Sequence, residues 1–159
     1  ADVRHIEATG VAVISNQIDI ANARIQFTNG CVANVTASRI SLKKMRKMRL
    51  FQRDAYIALD FLEGTSEIFR LIDDEDAANE QGFTIPVNTG DGRSRRILRQ
   101  QPQVPRQESL ALELHSFVQA VRSNTPPPVT GEDGREALRI SLEIIHQINQ
   151  SIATVNANT

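Results

Sequence analysis

The chain holds 159 residues with a formal net charge of −1, about the length of one ordinary domain. Its 40% hydrophobic and 23% charged residues can supply a core, which excludes a disordered acidic tail, a collagen-like chain and a basic nucleic-acid arm. Aromatics make up only 4%, so that core must be aliphatic.

The first 72 residues read as strands. Residues 3–15 are rich in β-branched side chains, with a bend expected at Gly10. Residues 19–28 alternate: Asp19, Ala21, Ala23, Ile25 and Phe27 share one face, and Ile20, Asn22, Arg24, Gln26 and Thr28 the other. Asn29-Gly30 is the strongest short hairpin signal in the chain. Residues 31–39 alternate again, with Cys31 read as a small core residue beside Ala33, Val35 and Ala37. Further strands are expected at 47–53, 56–63 and 66–73, with Gly64-Thr65 as a turn. The pattern gives these strands a small aliphatic face and a polar one, as in an antiparallel sheet covered by helices on one side. The polar face fits plain solvent surface, a subunit interface or a wall of a ligand site.

Residues 74–105 carry little pattern beyond one possible strand at 94–101. Two helices close the chain. The first, 108–123, aligns Leu110, Leu114, Phe117 and Val121, and stops at Asn124-Thr125 and the prolines 126–128. Thr130 caps the second, with Asp133 as capping-box partner. Its stripe is Ala137, Ile140, Ile144 and Ile148, widened by Leu138, Leu142, Ile145 and Ile152. The expected architecture is α+β: one domain over residues 1–159, a mainly antiparallel open sheet of about six strands with both C-terminal helices packed on one face.

Few residues announce chemistry. His5, His115 and His146 have no second ligand at metal spacing, and no nucleophile-elbow motif occurs. The turn Gly90-Asp91-Gly92 lacks the third glycine and the strand-to-helix context of a dinucleotide fingerprint. The lone cysteine forms no internal disulfide, no apolar run approaches the roughly 18 residues of a membrane span, and no secretory signal is visible. The expectation is a cytoplasmic protein with no membrane partner. The first residue is Ala rather than Met, which reads as an excised piece of a longer protein. Residues 39–53 are basic, holding Arg39, Lys43, Lys44, Arg46, Lys47, Arg49 and Arg53, while acids gather at Asp60, Glu63, Glu67 and 73–76. Such segments pair across strands or receive phosphate and carboxylate oxygens. Nucleic acid is disfavoured by the net charge and the lack of aromatic stacking platforms.

Three stretches carry a family resemblance. Residues 19–39 (DIANARIQFTNGCVANVTASR), 48–60 (MRLFQRDAYIALD) and 114–138 (LHSFVQAVRS, the proline run, then VTGEDGREAL) stand in an order that resembles the C-terminal half of the glucose-fructose oxidoreductase/inositol dehydrogenase (Gfo/Idh/MocA) family. A glycine usual in the family's second strand pair is replaced near Asp54. The resemblance implies an NAD(P)-dependent oxidoreductase acting on a sugar or nucleotide sugar. Its N-terminal Rossmann domain, absent from this chain, would hold NAD or NADP and the catalytic groups. No catalytic or cofactor-binding residue transfers, and the segment alone is expected to bind no cofactor and to be inactive. The resemblance assigns this portion to substrate binding, with Ser38, Arg39, Lys43 and Lys44 supplying charge-assisted hydrogen bonds, and to homo-oligomerisation through the sheet face. The competing expectation is a stand-alone, non-catalytic module that self-associates through that face.

Overall fold

The computed structural model describes residues 1–157 except 79, 89, 91 and 106. The described residues form strands β1 (Val3–Val11), β2 (Ile20–Phe27), β3 (Val32–Ser38), β4 (Lys47–Phe51), β5 (Ala55–Asp60), β6 (Thr65–Asp73), β7 (Phe83–Asn88) and β8 (Ser94–Gln100). Helices α1 (Ser109–Ser123) and α2 (Gly131–Ala157) follow. The α+β class with antiparallel pairing is as expected. Where about six strands in one sheet were expected, the described residues hold eight in two sheets, ordered β1-β2-β3 and β4-β5-β6-β8-β7. The chain divides into two compact units, Ala1–Leu42 with Glu113–Thr159, and Lys43–Leu112.

In the first unit, α2 lies against β1. The register sets small residues in rows that α2 covers at β1 and that lie exposed at β3. Gly10, Ala21 and Ala37 sit side by side across the three strands, as do Ala8, Ala23 and Val35. A Cβ on Gly10 would stand 2.8 Å from Ile148 Cγ2 and 2.8 Å from the Ile20 carbonyl oxygen. Glycine is therefore a packing requirement here. Ile148 is fully buried, and Ile6, Ala23 and Ile25 complete this core.

The expected strand 3–15 ends at Val11, because the next residues bend to aim their amides at Asp19. At the β2–β3 hairpin only Gly30 takes a positive φ, +85°. The Gly30 amide donates to the Phe27 carbonyl, and the Asn29 side chain accepts from the Cys31 amide. This is a turn closed by one left-handed glycine rather than a two-residue mirror-image turn. Cys31 is exposed, correcting its placement in the core, because it sits at the hairpin's tip.

The second unit is the five-stranded sheet. Leu98 is fully buried and Ile72 nearly so. β7 falls inside a stretch expected to be irregular; its alternating Phe83, Ile85 and Val87 were the overlooked signal. Pro86 is tolerated because β7 is the sheet's last strand. Across all five strands runs one row of paired residues: Phe51, Tyr56, Phe69, Arg99 and Phe83. Phe51 stacks on Tyr56 at 5.0 Å between ring centroids, and Tyr56 on Phe69 at 5.6 Å.

The helical stripes are narrower in packing than in sequence. On α2, Ile140, Ile144 and Ile152 are half-buried around Ile148, while Leu138, Leu142 and Ile145 are exposed. On α1 the expected core stripe of Leu110, Leu114, Phe117 and Val121 faces outward, and Ala120 is the buried residue. Asn124, at φ +53°, ends α1 in the left-handed conformation common after a helix. Thr130 and Asp133 form the expected capping box at the start of α2.

Candidate functional site

The end of the three-stranded sheet gathers a polar cluster around one buried acid. Asp19 precedes β2 and lies on the face with Ala21, Ala23 and Ile25, where an acid is anomalous. Its side chain is buried, with the residue 2% exposed. Burial of a carboxylate is tolerable only with full hydrogen bonding. Oδ2 accepts the amides of Val13 (2.7 Å), Ile14 (2.8 Å) and Ser15 (3.2 Å). Oδ1 accepts the Ser15 hydroxyl (3.1 Å) and Arg39 Nε (2.5 Å). The Ile14 amide is the strongest influence holding this carboxyl well below the usual carboxylate range; the Val13 and Ser15 amides and the Arg39 guanidinium add to it, against the opposing effect of burial.

Arg39 follows β3 directly. Its Nε is spent on Asp19, its Nη2 donates to the Ser15 hydroxyl, and its amide donates to the Asp19 carbonyl. Yet 48% of its side-chain surface remains exposed. Ser38, one residue earlier, belongs to the opposite sheet face and accepts a hydrogen bond from the Ser41 hydroxyl at 2.8 Å. The structure thus joins Arg39 to Ser15 and Asp19, and Ser38 to Ser41. Lys43 and Lys44, which begin the second unit, are exposed, with no side-chain hydrogen bond or ion pair among the described residues. Asp19 and Ser15 were missed as site residues. The acid's position on an otherwise apolar alternating face was the available signal.

Part of the basic segment is absorbed by cross-strand pairing. Lys47 meets Asp60 at 2.9 Å, directly opposite it across β4 and β5. Lys47 is the largest influence lowering the Asp60 carboxyl, and Arg99 does the same for Glu67. A hollow of about 210 Å³ is lined by Lys47, Asp60, Glu67, Arg49, Tyr56 and Thr65. A shallow trough of about 650 Å³ between β1 and α2 is lined by His5, Glu7, Glu143, His146 and Gln150. No group of three or more His, Cys, Asp or Glu among the described residues is placed to hold a metal. The trough's donors pair locally: His5 with Glu7 at 3.5 Å, His146 with Gln150 at 2.9 Å, Gln147 with Glu143 at 2.9 Å.

The glycine-rich turn offers a direct test of fit to a dinucleotide. Gly90 and Gly92 take positive φ, and they lie in the connection between antiparallel β7 and β8. Asp91 lies outside the described residues. A hairpin presents no helix N-terminus to a pyrophosphate, so this turn does not fit the group. No helix among the described residues is long and apolar enough to cross a membrane.

No protein-family model matches the chain. It is 29% identical over 139 residues to the UDP-N-acetylglucosamine 3-dehydrogenase of Acidithiobacillus ferrooxidans, covering 87% of this chain and 40% of that protein. A solved structure of that dehydrogenase superposes with a TM-score of 0.75 at 26% identity, covering 93% of this chain and 41% of the other. An NAD-binding protein from Listeria innocua, 15% identical, shares the fold at a TM-score of 0.63 over 94% of this chain and 44% of its own. The chain therefore spans about 40% of the length of the curated relative it matches. The resemblance drawn from residues 19–39, 48–60 and 114–138 is borne out.

Proposed function

We propose that this chain, a homologue of part of a Gfo/Idh/MocA-type oxidoreductase, forms the substrate-binding and oligomerisation portion of an NAD(P)-dependent enzyme that oxidises a hydroxyl of a nucleotide sugar. The observation that carries the reading is the superposition on a UDP-N-acetylglucosamine 3-dehydrogenase over 93% of the chain. The nicotinamide supplies hydride transfer when bound. Its binding and the catalytic groups belong, in this reading, to another part of the longer protein, and the present segment is inactive by itself.

Arg39, Ser38, Lys43 and Lys44 supply the substrate contacts. Guanidinium and ammonium donors match the oxygens of a diphosphate, and Arg39 has exposed surface while being held in place. Self-association runs through the sheet face. The aromatic row on the five-stranded sheet supports this, with Phe51 78% and Phe83 65% exposed. Aromatic side chains are enriched in the cores of protein interfaces.

The test is kinetic. The full-length gene product, assayed by nicotinamide reduction, is expected to oxidise UDP-N-acetylglucosamine or a related nucleotide sugar. Arg39→Gln with Lys43→Gln is expected to raise substrate KM about tenfold or more. An unchanged KM refutes the residue assignment, and a folded enzyme inert towards all sugars and nucleotide sugars refutes the activity.

A further inference from the structure

We infer that Asp19 and Ser15 are positioning residues that preset the Arg39 guanidinium, so that its free terminal edge receives two oxygens of a diphosphate. The inference rests on the reading that Arg39 touches an anionic substrate group, and it adds the device that aims it.

A guanidinium carries five N–H donors in one plane. Two bonds to it, from Nε and Nη2, fix that plane. The remaining donors, two on Nη1 and one on Nη2, have no partner among the described residues. Other arginines of the chain are committed differently. Arg139 spends Nε and Nη2 on the two oxygens of a single carboxylate, Glu136, and Arg96 divides its donors between Thr84 and Asp74. Arg39 alone of these three is gripped along its inner edge by a buried acid that three backbone amides already hold in place. Asp19 cannot swing with its partner, so the arginine is anchored to the backbone of residues 13–15. The entropy of ordering a long side chain is thereby spent in folding rather than in binding. Ser15 closes the grip, accepting from Arg39 Nη2 and from the Gln17 amide.

Inorganic pyrophosphate is the probe, titrated into this chain by calorimetry and by NMR of the Arg39 Nε–H. In the wild type that proton is expected to be slow to exchange before any ligand is added. Ser15→Ala, at an exposed position, is expected to weaken pyrophosphate binding about threefold or more and speed Nε–H exchange in a chain that circular dichroism shows still folded. Ser15→Thr restores both. Asp19→Asn has the same effect on binding, more strongly. If Arg39→Gln weakens binding but Ser15→Ala and Asp19→Asn do not, positioning is refuted and the substrate contact stands. If Arg39→Gln has no effect, or the wild type binds no pyrophosphate, the anion-site reading itself fails.

Discussion

Replacing Gly10 by alanine isolates one contact, the approach of α2 to β1. The added methyl would lie 2.8 Å from Ile148 Cγ2, 3.1 Å from its Cδ1 and 2.8 Å from the Ile20 carbonyl oxygen. Two of these are below any ordinary carbon contact, and one neighbour is backbone, so helix and strand must part. Overpacking of this kind costs about 1–3 kcal/mol. Gly10 has no positive φ, so alanine also restricts the unfolded chain, which returns about 0.4–1 kcal/mol. Taking the middle of each range, the net expectation is a destabilisation of about 1.3 kcal/mol. Truncating the fully buried Ile148 to alanine should cost about 2–5 kcal/mol by itself. The double variant is the decisive measurement, because the alanine methyl at position 10 then enters space that Cγ2 and Cδ1 have vacated. Its loss should fall short of the sum of the single losses by about 0.5–2 kcal/mol. Urea unfolding followed by circular dichroism supplies the values, with unchanged m-values required for comparison. Strict additivity, or a Gly10→Ala protein as stable as wild type, would refute the claim that this glycine exists to admit the helix.

Two further outcomes follow from the same physics. The Asp19 carboxyl is depressed in the folded chain, so its contribution to stability is present above the ordinary carboxylate range and is lost as pH falls through that range and below it. Asp19→Asn should therefore lower the melting temperature at pH 7, and the gap to wild type should close as pH drops below about 4; a gap independent of pH would contradict the assignment. Thr130→Ala removes the acceptor for the Asp133 amide at the start of α2 and should cost about 1 kcal/mol, with faster exchange confined to the helix's first turn.

The fold was legible where alternation was strict and one face was buried. Residues 19–28 gave β2 and both of its faces, because a one-residue slip there would expose Ala23 and Ile25, and residues 31–39 gave β3 as its partner in register. The second sheet was harder. β7 carries a proline, and its alternation spans only six residues, so composition masked it. The helical stripes misled in a different way. Leu110, Leu114, Phe117 and Val121 have the spacing of a core-facing helix, but spacing shows only that a face is apolar, not what covers it. In a chain that spans 40% of its relative, an apolar stripe has more possible destinations than this chain's own core.

The candidate site was legible in only one of its members. Arg39 drew notice through the basic run beside it, but a run of charge is a property of sequence neighbours, whereas the cluster that holds Arg39 is assembled across three strands. Ser15 and Asp19 lie 24 and 20 positions away from it. What links them is a demand that periodicity alone does not express. An acid placed on the apolar face of β2 must find donors, and the chain before it bends to provide three amides. Once that bend exists, residues 13–15 cannot continue β1, Ser15 is carried to the sheet's end, and the residue after β3 meets both. The early end of β1 and the orientation of Arg39 thus have one cause, the burial of a single carboxylate.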